Sequence, residues 1–311
     1  MGTILNTTKN CTYMKFFRKY TQKSFFILFL ATSMGLTSCS ENDEIKIQGH
    51  TELAVAPDAA YQQLTSDLAG YNEKFASRQT RLGGWWRRLF IGLTDAVGAI
   101  VGTVYFGPVG GGALGAGASA LLAQQTGNAT TVPGGKKFSD KDIAYIPAVD
   151  SKPTLLDSVG LVHNKILIEL EADDTTFYSK VLPSSVIMDK VLEDVNASGT
   201  VVDSNLSGEM ATKLDLMKLP ADCIGDQNAA LSYYKKVFPE YSNQLDVLKN
   251  YTKTVEQLPD SVIPQYTDGY LKVVDSAPIP LKDKEQIKGG VLVGGNSTLL
   301  WKPKEVVKLE P

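Results

Sequence analysis

Three cysteines and two histidines are the residues of this chain best suited to nucleophilic or metal chemistry, and their placement restricts both. Cys11, Cys39 and His50 lie near the N-terminus, which leaves Cys223 and His163 in the main body of the sequence. A thiol and an imidazole form a nucleophile–base pair when folding brings them within hydrogen-bond reach and a third group orients the ring. Unpaired, Cys223 is a small packing side chain. His163 shares a helical face with Val159, Ile166 and Leu167, which favours a ring at the edge of the core with one hydrogen bond. No HExxH, EF-hand loop, CxxC or GxSxG pattern accompanies these residues, so no metal and no cofactor is expected. Gly110-x-Gly112-x-x-Gly115 matches a dinucleotide fingerprint letter by letter. However, Gly107-Pro108 precedes it, no strand leads in, and the next acid is Asp140. Glu169 and Asp173 stand one helical turn apart, on a charged face that reads as solvated.

The N-terminal cysteines have a different logic. Lys15, Arg18, Lys19 and Lys23 precede an apolar run from Phe25 to Leu36, too short to span a bilayer comfortably, and Leu36-Thr37-Ser38-Cys39 follows. This is similar to the lipobox of bacterial lipoproteins, in which the leader is removed and the cysteine is acylated. Residues 1–38 are then a signal peptide, with Met14 a candidate true start, and Cys39 carries lipid such as palmitate. Several acyl chains at about 0.8 kcal/mol per buried methylene anchor a protein without a spanning helix. The acidic run Ser40, Glu41, Asn42, Asp43, Glu44 resembles the export signal of lipoproteins of the Bacteroides group, which implies the outer membrane and its cell-surface face, with the periplasmic face as the alternative. Read from charge alone, residues 39–57 are an acidic, solvated tether.

Removing residues 1–38 leaves 273 residues and a formal net charge of −8, a balance that argues against nucleic acid as a partner. Cys223 becomes the one free thiol beyond the anchor, so packing rather than disulfides must stabilise the fold.

The elements that would position any site read as mostly α. Tyr61, Leu64, Leu68, Tyr71 and Phe75 recur at spacings of three and four, the stripe of an amphipathic helix. From Ala96 to Ala123 there are 28 residues without a charge, eight of them Gly and seven Ala. Gly98 and Gly102, then Gly107, Gly111 and Gly115, fall four apart, the spacing that lets helix backbones approach. With Gly107-Pro108 as a break, the expected form is a helical hairpin with arms near 88–106 and 112–124, neither suited to spanning a membrane. Residues 58–124 thus form one region, 125–153 a Gly/Pro/Thr-rich linker, and 154–311 a helical C-terminal domain punctuated by prolines. Ser184 or Ser185 is the expected cap of a helix carrying Ile187, Val191 and Val195. Met210, Leu214 and Met217 repeat the helical pattern, as do Leu231, Tyr234 and Phe238. Gly289 to Gly295 fits a strand or a glycine-softened helix.

Trp85, Trp86, Arg87 and Arg88, just before the hairpin, suit either an interfacial aromatic belt or a cover over one end of it with the arginines in water. The motifs Asp95-Ala96-x-Gly98-Ala99 and Gly160-x-x-His163-Asn164, with Trp301, resemble exported lipoproteins of the Bacteroides group over residues 90–301. That resemblance implies architecture and localisation, not an activity. The Gly/Ala segment is also similar to glycine-zipper hairpins. Within these motifs Gly160 would permit close backbone approach, while His163 and Asn164 would bond backbone groups of neighbouring helices. The expectation is a lipid-anchored envelope protein, non-enzymatic, acting as a binding or structural module with a protein partner. The alternative is a membrane-active effector whose hairpin inserts into a bilayer.

Overall fold

In a computed structural model the described residues are 57–76, 86–126, 154–197 and 205–301. Cys39, Ser40, Glu41, Asp43, Glu44, Trp85 and the side chains of Trp86, Arg87 and Arg88 lie outside them. The chain divides into two units. One is 1–54 with 195–202, of which only 195–197 are described; the other, 55–194 with 203–311, carries everything that follows apart from those three residues.

The expected mostly α class holds, and no strand occurs among the described residues. The helices are α1 (Pro57–Glu73), α2 (Trp86–Gln125), α3 (Val159–Asp173), α4 (Ser184–Ala197), α5 (Asn205–Leu216), α6 (Gln227–Val237), α7 (Ser242–Val255), α8 (Ile263–Ser276) and α9 (Leu281–Leu300). Prolines mark where several of them start. Pro183 directly precedes α4, Pro264 sits in the first turn of α8, and Pro280 is the N-cap of α9. Asp226 caps α6 by accepting from the amides of Asn228 and Ala229 at 2.8 and 3.1 Å. Ser184 departs from its expected capping role: its hydroxyl donates to Asp215 at 2.5 Å and ties the start of α4 to the end of α5.

α2 is helical throughout except at Gly107, whose φ of 72° and ψ of −174° lie where a side chain would be strained. The chain reverses there, giving an arm α2a (86–106) and an arm α2b (108–125). The arms touch through glycine. A Cβ on Gly98 would stand 2.8 Å from the Leu114 carbonyl and 3.0 Å from the Gly115 Cα, and one on Gly102 would stand 2.9 Å from the Gly111 Cα. Gly98, Gly102, Gly111 and Gly115 are therefore packing positions, whereas Gly107 is the turn itself. The second arm starts earlier than 112, because the helix resumes at Pro108 and runs on through Gly110, Gly111 and Gly112. Tertiary contact overrides the low helix propensity of three glycines: a Cβ on Gly112 would press on Val159 and Val162 of α3.

Gly289 to Gly295 is helical, in the middle of α9. Gly289, Gly290 and Gly294 face α2a, where a Cβ on Gly290 would stand 3.1 Å from the Ala96 carbonyl and one on Gly294 3.1 Å from the Gly92 carbonyl, while Gly295 faces Tyr251 and Thr267. From Ile287 to Thr298 every residue of α9 except Lys288 is buried, so the helix shows no polar stripe. α2 and α9 thus form the centre, with α3 against both. The hairpin and the C-terminal helices, on either side of 125–153, lie in the same unit and share this core. On one flank Tyr71 of α1 and Phe75, just beyond it, meet Tyr266 and Tyr270 of α8, which in turn meet Tyr251 of α7, with ring centroids 5.1–6.5 Å apart.

Candidate functional site

Between Leu89 and Gly135 the sequence contains one charged residue, Asp95. It falls on the buried face of α2a and is 0% exposed. A carboxylate in such a place needs donors, and three other segments supply them. Ser119 of α2b donates to Asp95 Oδ2 at 2.5 Å, Ser297 of α9 donates to the same oxygen, and His163 Nε2 of α3 stands 3.3 Å from it. The histidine contact lies outside hydrogen-bond geometry, and Asp95 Oδ1 receives no protein donor. All four side chains are fully buried.

A second layer orients the first. His163 Nδ1 lies 2.8 Å from Asn164 Oδ1, and Asn164 Nδ2 donates to the Asn296 carbonyl at 3.2 Å. Because the Asn164 amide nitrogen is committed to a carbonyl, its oxygen must accept, so His163 Nδ1 carries a proton. Nε2 is turned towards the Asp95 carboxylate. Trp301 donates to Ser119 at 3.3 Å, and the Tyr178 ring packs edge-on to its indole with centroids 5.5 Å apart. Tyr178 is fixed in turn by donating to the Leu167 carbonyl at 2.7 Å. Glycine makes room at two points: a Cβ on Gly115 would stand 3.2 Å from the His163 ring, and one on Gly160 2.8 Å from the Leu292 carbonyl.

This cluster has the residue types of a hydrolytic triad but a different wiring. Both serines donate to the carboxylate rather than to the imidazole, so the ring is not positioned as the base that takes a serine proton in such a triad. What the arrangement does is tie α2a, α2b, α3 and α9 together at one buried polar junction. A His163–Cys223 pair, the nucleophilic arrangement weighed from the sequence, does not form. His163 is engaged with Asp95 and Asn164, while Cys223 is half-buried in the turn Ala221–Cys223, hydrogen-bonded to Asp222. Asn164 bonds a backbone carbonyl of α9, as read from sequence, whereas His163 bonds the Asn164 side chain and faces a carboxylate rather than a backbone atom. Gly110, Gly112 and Gly115 lie within α2b, in helix–helix contact.

Ser119, Asn296 and Ser297 carry no sequence pattern that announces them. Asp95 does: a lone acid inside a long uncharged stretch must be neutralised once that stretch is buried. Two further carboxyls lie outside the network. Burial pushes Glu171 up to about 7, and burial followed by the charges of Glu169, Asp173 and Glu193 pushes Asp194 up to about 7. Each has one oxygen without a hydrogen bond. No cluster of three metal-ligating side chains occurs among the described residues. By length and composition the Phe90–Gln125 stretch of α2 could cross a membrane, yet 72% of its apolar window is buried in the protein and it turns back at Gly107. No family model, curated protein or solved structure matches the chain.

Proposed function

We propose that this chain is a lipid-anchored protein of the bacterial cell envelope, attached through Cys39 to the outer membrane. Its helical body acts there as a non-enzymatic binding or structural module for a protein partner. The observation that carries the non-enzymatic part is the wiring at Asp95. The acid, imidazole and hydroxyls that could do chemistry are buried and spent on one another. The address rests on Leu36-Thr37-Ser38-Cys39 behind its basic and apolar leader. Incorporation of a clickable palmitate analogue, lost in Cys39→Ala, tests the anchor; protease shaving of intact cells tests surface display. Cross-linking on the same cells, followed by mass spectrometry, tests for the partner. Label that persists in Cys39→Ala would overturn the anchor.

A second reading, a membrane-active hairpin, draws on the length and hydropathy of α2. It requires the protein to release dye from loaded vesicles, and to lose that ability in Gly102→Leu. Intact vesicles at micromolar protein would rule it out.

A further inference from the structure

We propose that the turn of the α2 hairpin is a lipid-contacting surface that rests the folded helical body on a bilayer. This draws on the anchored reading above only for the nearness of a membrane. It differs from insertion because the hairpin stays within its bundle.

Turns between helices on a protein surface ordinarily carry polar side chains. This one reads Val104-Tyr105-Phe106-Gly107-Pro108-Val109, inside a stretch with no charge from Ala96 to Ala123. Tyr105 is 45% exposed and the other five are half-buried, so the turn is an apolar knob reached by solvent. Two more exposed leucines lie at the same end. Gly289 of α9 packs on Thr103 and on Leu156, so Leu155, 65% exposed, borders this level. α9 runs antiparallel to α2a, since Gly92 meets Thr298 while Gly289 meets Thr103. Leu281, 71% exposed, is therefore about 12 Å further along, beyond the turn.

The chemistry fits a lipid surface better than a protein. A protein partner would need groups that fix its register, and the one hydroxyl on the knob, that of Tyr105, is hydrogen-bonded to Tyr241. A bilayer asks only for apolar depth, an aromatic ring at headgroup level and a cation at the rim. Lys213 supplies the cation: its Nζ lies 4.1 Å from the Tyr105 ring centroid, beside the one exposed ring of the knob. Lys282, beside Leu281, is exposed.

The test uses the chain from residue 39 with Cys39→Ala, which contains every described element and cannot attach by acylation. Sedimentation with vesicles of phosphatidylethanolamine and phosphatidylglycerol is expected, weaker with phosphatidylcholine alone and without dye release. Phe106→Asp with Val109→Asp should reduce vesicle binding at least tenfold, while Val181→Asp, at a residue 87% exposed elsewhere, should leave it unchanged. Tyr105→Trp should shift its fluorescence to the blue on vesicles and be quenched by brominated lipid, a readout that does not depend on the aspartate variants folding. The proposal is overturned if the parent does not bind, if the folded double variant binds as well as the parent, or if the tryptophan is unquenched. It is also overturned if the knob variants abolish self-association instead. Palmitate labelling of Cys39 is read separately, so failure of this surface leaves the anchor standing and failure of the anchor leaves this surface to be judged by its own result.

Discussion

Asp95 Oδ2 and His163 Nε2 stand 3.3 Å apart at the centre of the bundle, each fully buried, and that same oxygen also takes the hydroxyls of Ser119 and Ser297. The carboxylate and the ring are each costly to bury alone. Removing the ring leaves the acid its two serine donors but opens a void beside it and frees the Asn164 amide oxygen, so His163→Ala should cost about 2–5 kcal/mol in urea unfolding. Asp95→Asn, which keeps the shape and removes the charge, should couple to it. The double variant should be more stable than the two single losses predict by at least about 1 kcal/mol. Additive losses would mean the two do not act as a unit.

Glycine at the arm interface is a packing requirement, whereas glycine on an open helix face is a loss of stability. Gly102→Ala places a Cβ 2.9 Å from the Gly111 Cα and should lower stability by about 1–3 kcal/mol. Gly70 in α1 and Gly208 in α5 have nothing within 4 Å of such a Cβ, so Gly70→Ala and Gly208→Ala should each raise stability by up to about 1 kcal/mol. Opposite signs in thermal melts of these variants check the assignment.

The buried acids Glu171 and Asp194 give stability a definite slope with pH. Burial raises both to about 7 in the folded chain, above their ordinary values near 4 when unfolded. Below about pH 4 both states are protonated and neither group contributes. As pH rises towards 7 the unfolded chain ionises first, so the fold loses stability progressively until the folded groups ionise too. Unfolding free energies between pH 4 and 8 should fall along this course, and Glu171→Gln with Asp194→Asn should flatten it.

Asp157 works in the opposite sense. It is 2% exposed and ion-paired to Lys288 at 2.5 Å. Burial pushes its carboxyl up, but hydrogen bonds from Lys288 and Thr154 outweigh that and hold it below the ordinary range. Its contribution is present above the unfolded pKa and disappears as pH falls through the folded one. Lys288→Met should cost about 3–5 kcal/mol at pH 7 and much less in strong acid, where the carboxyl is neutral in both states.

Most helices were legible because their solvent side is polar. Val191, Tyr234 and Leu248 are buried members of stripes that a period of 3.6 exposes directly. α9 was not, because Gly289 to Thr298 is buried all round and a helix without a polar face looks like a strand in a short window. The hairpin was legible from Gly107-Pro108, but its second arm was placed too late. Intrinsic propensity says that Gly110-Gly111-Gly112 should not be helical, and only the close approach of α2a and α3 makes it so. The Asp95 and His163 motifs stood out separately; that they face one another is a property of two distant segments, which no spacing encodes.

The order in which the chain is made has a consequence for its handling. The ridge of α2a around Gly92, Ala96 and Ile100 is covered by α9, the last described helix, and Ser297 completes the ring around Asp95. Until residues beyond about 280 emerge, that ridge of α2a is uncovered and Asp95 has only one of its two hydroxyl donors, Ser119. A nascent chain is thereby kept from locking into its final state early. Truncation before Leu281 should leave a hairpin that is trapped by chaperones or aggregates rather than a smaller folded protein.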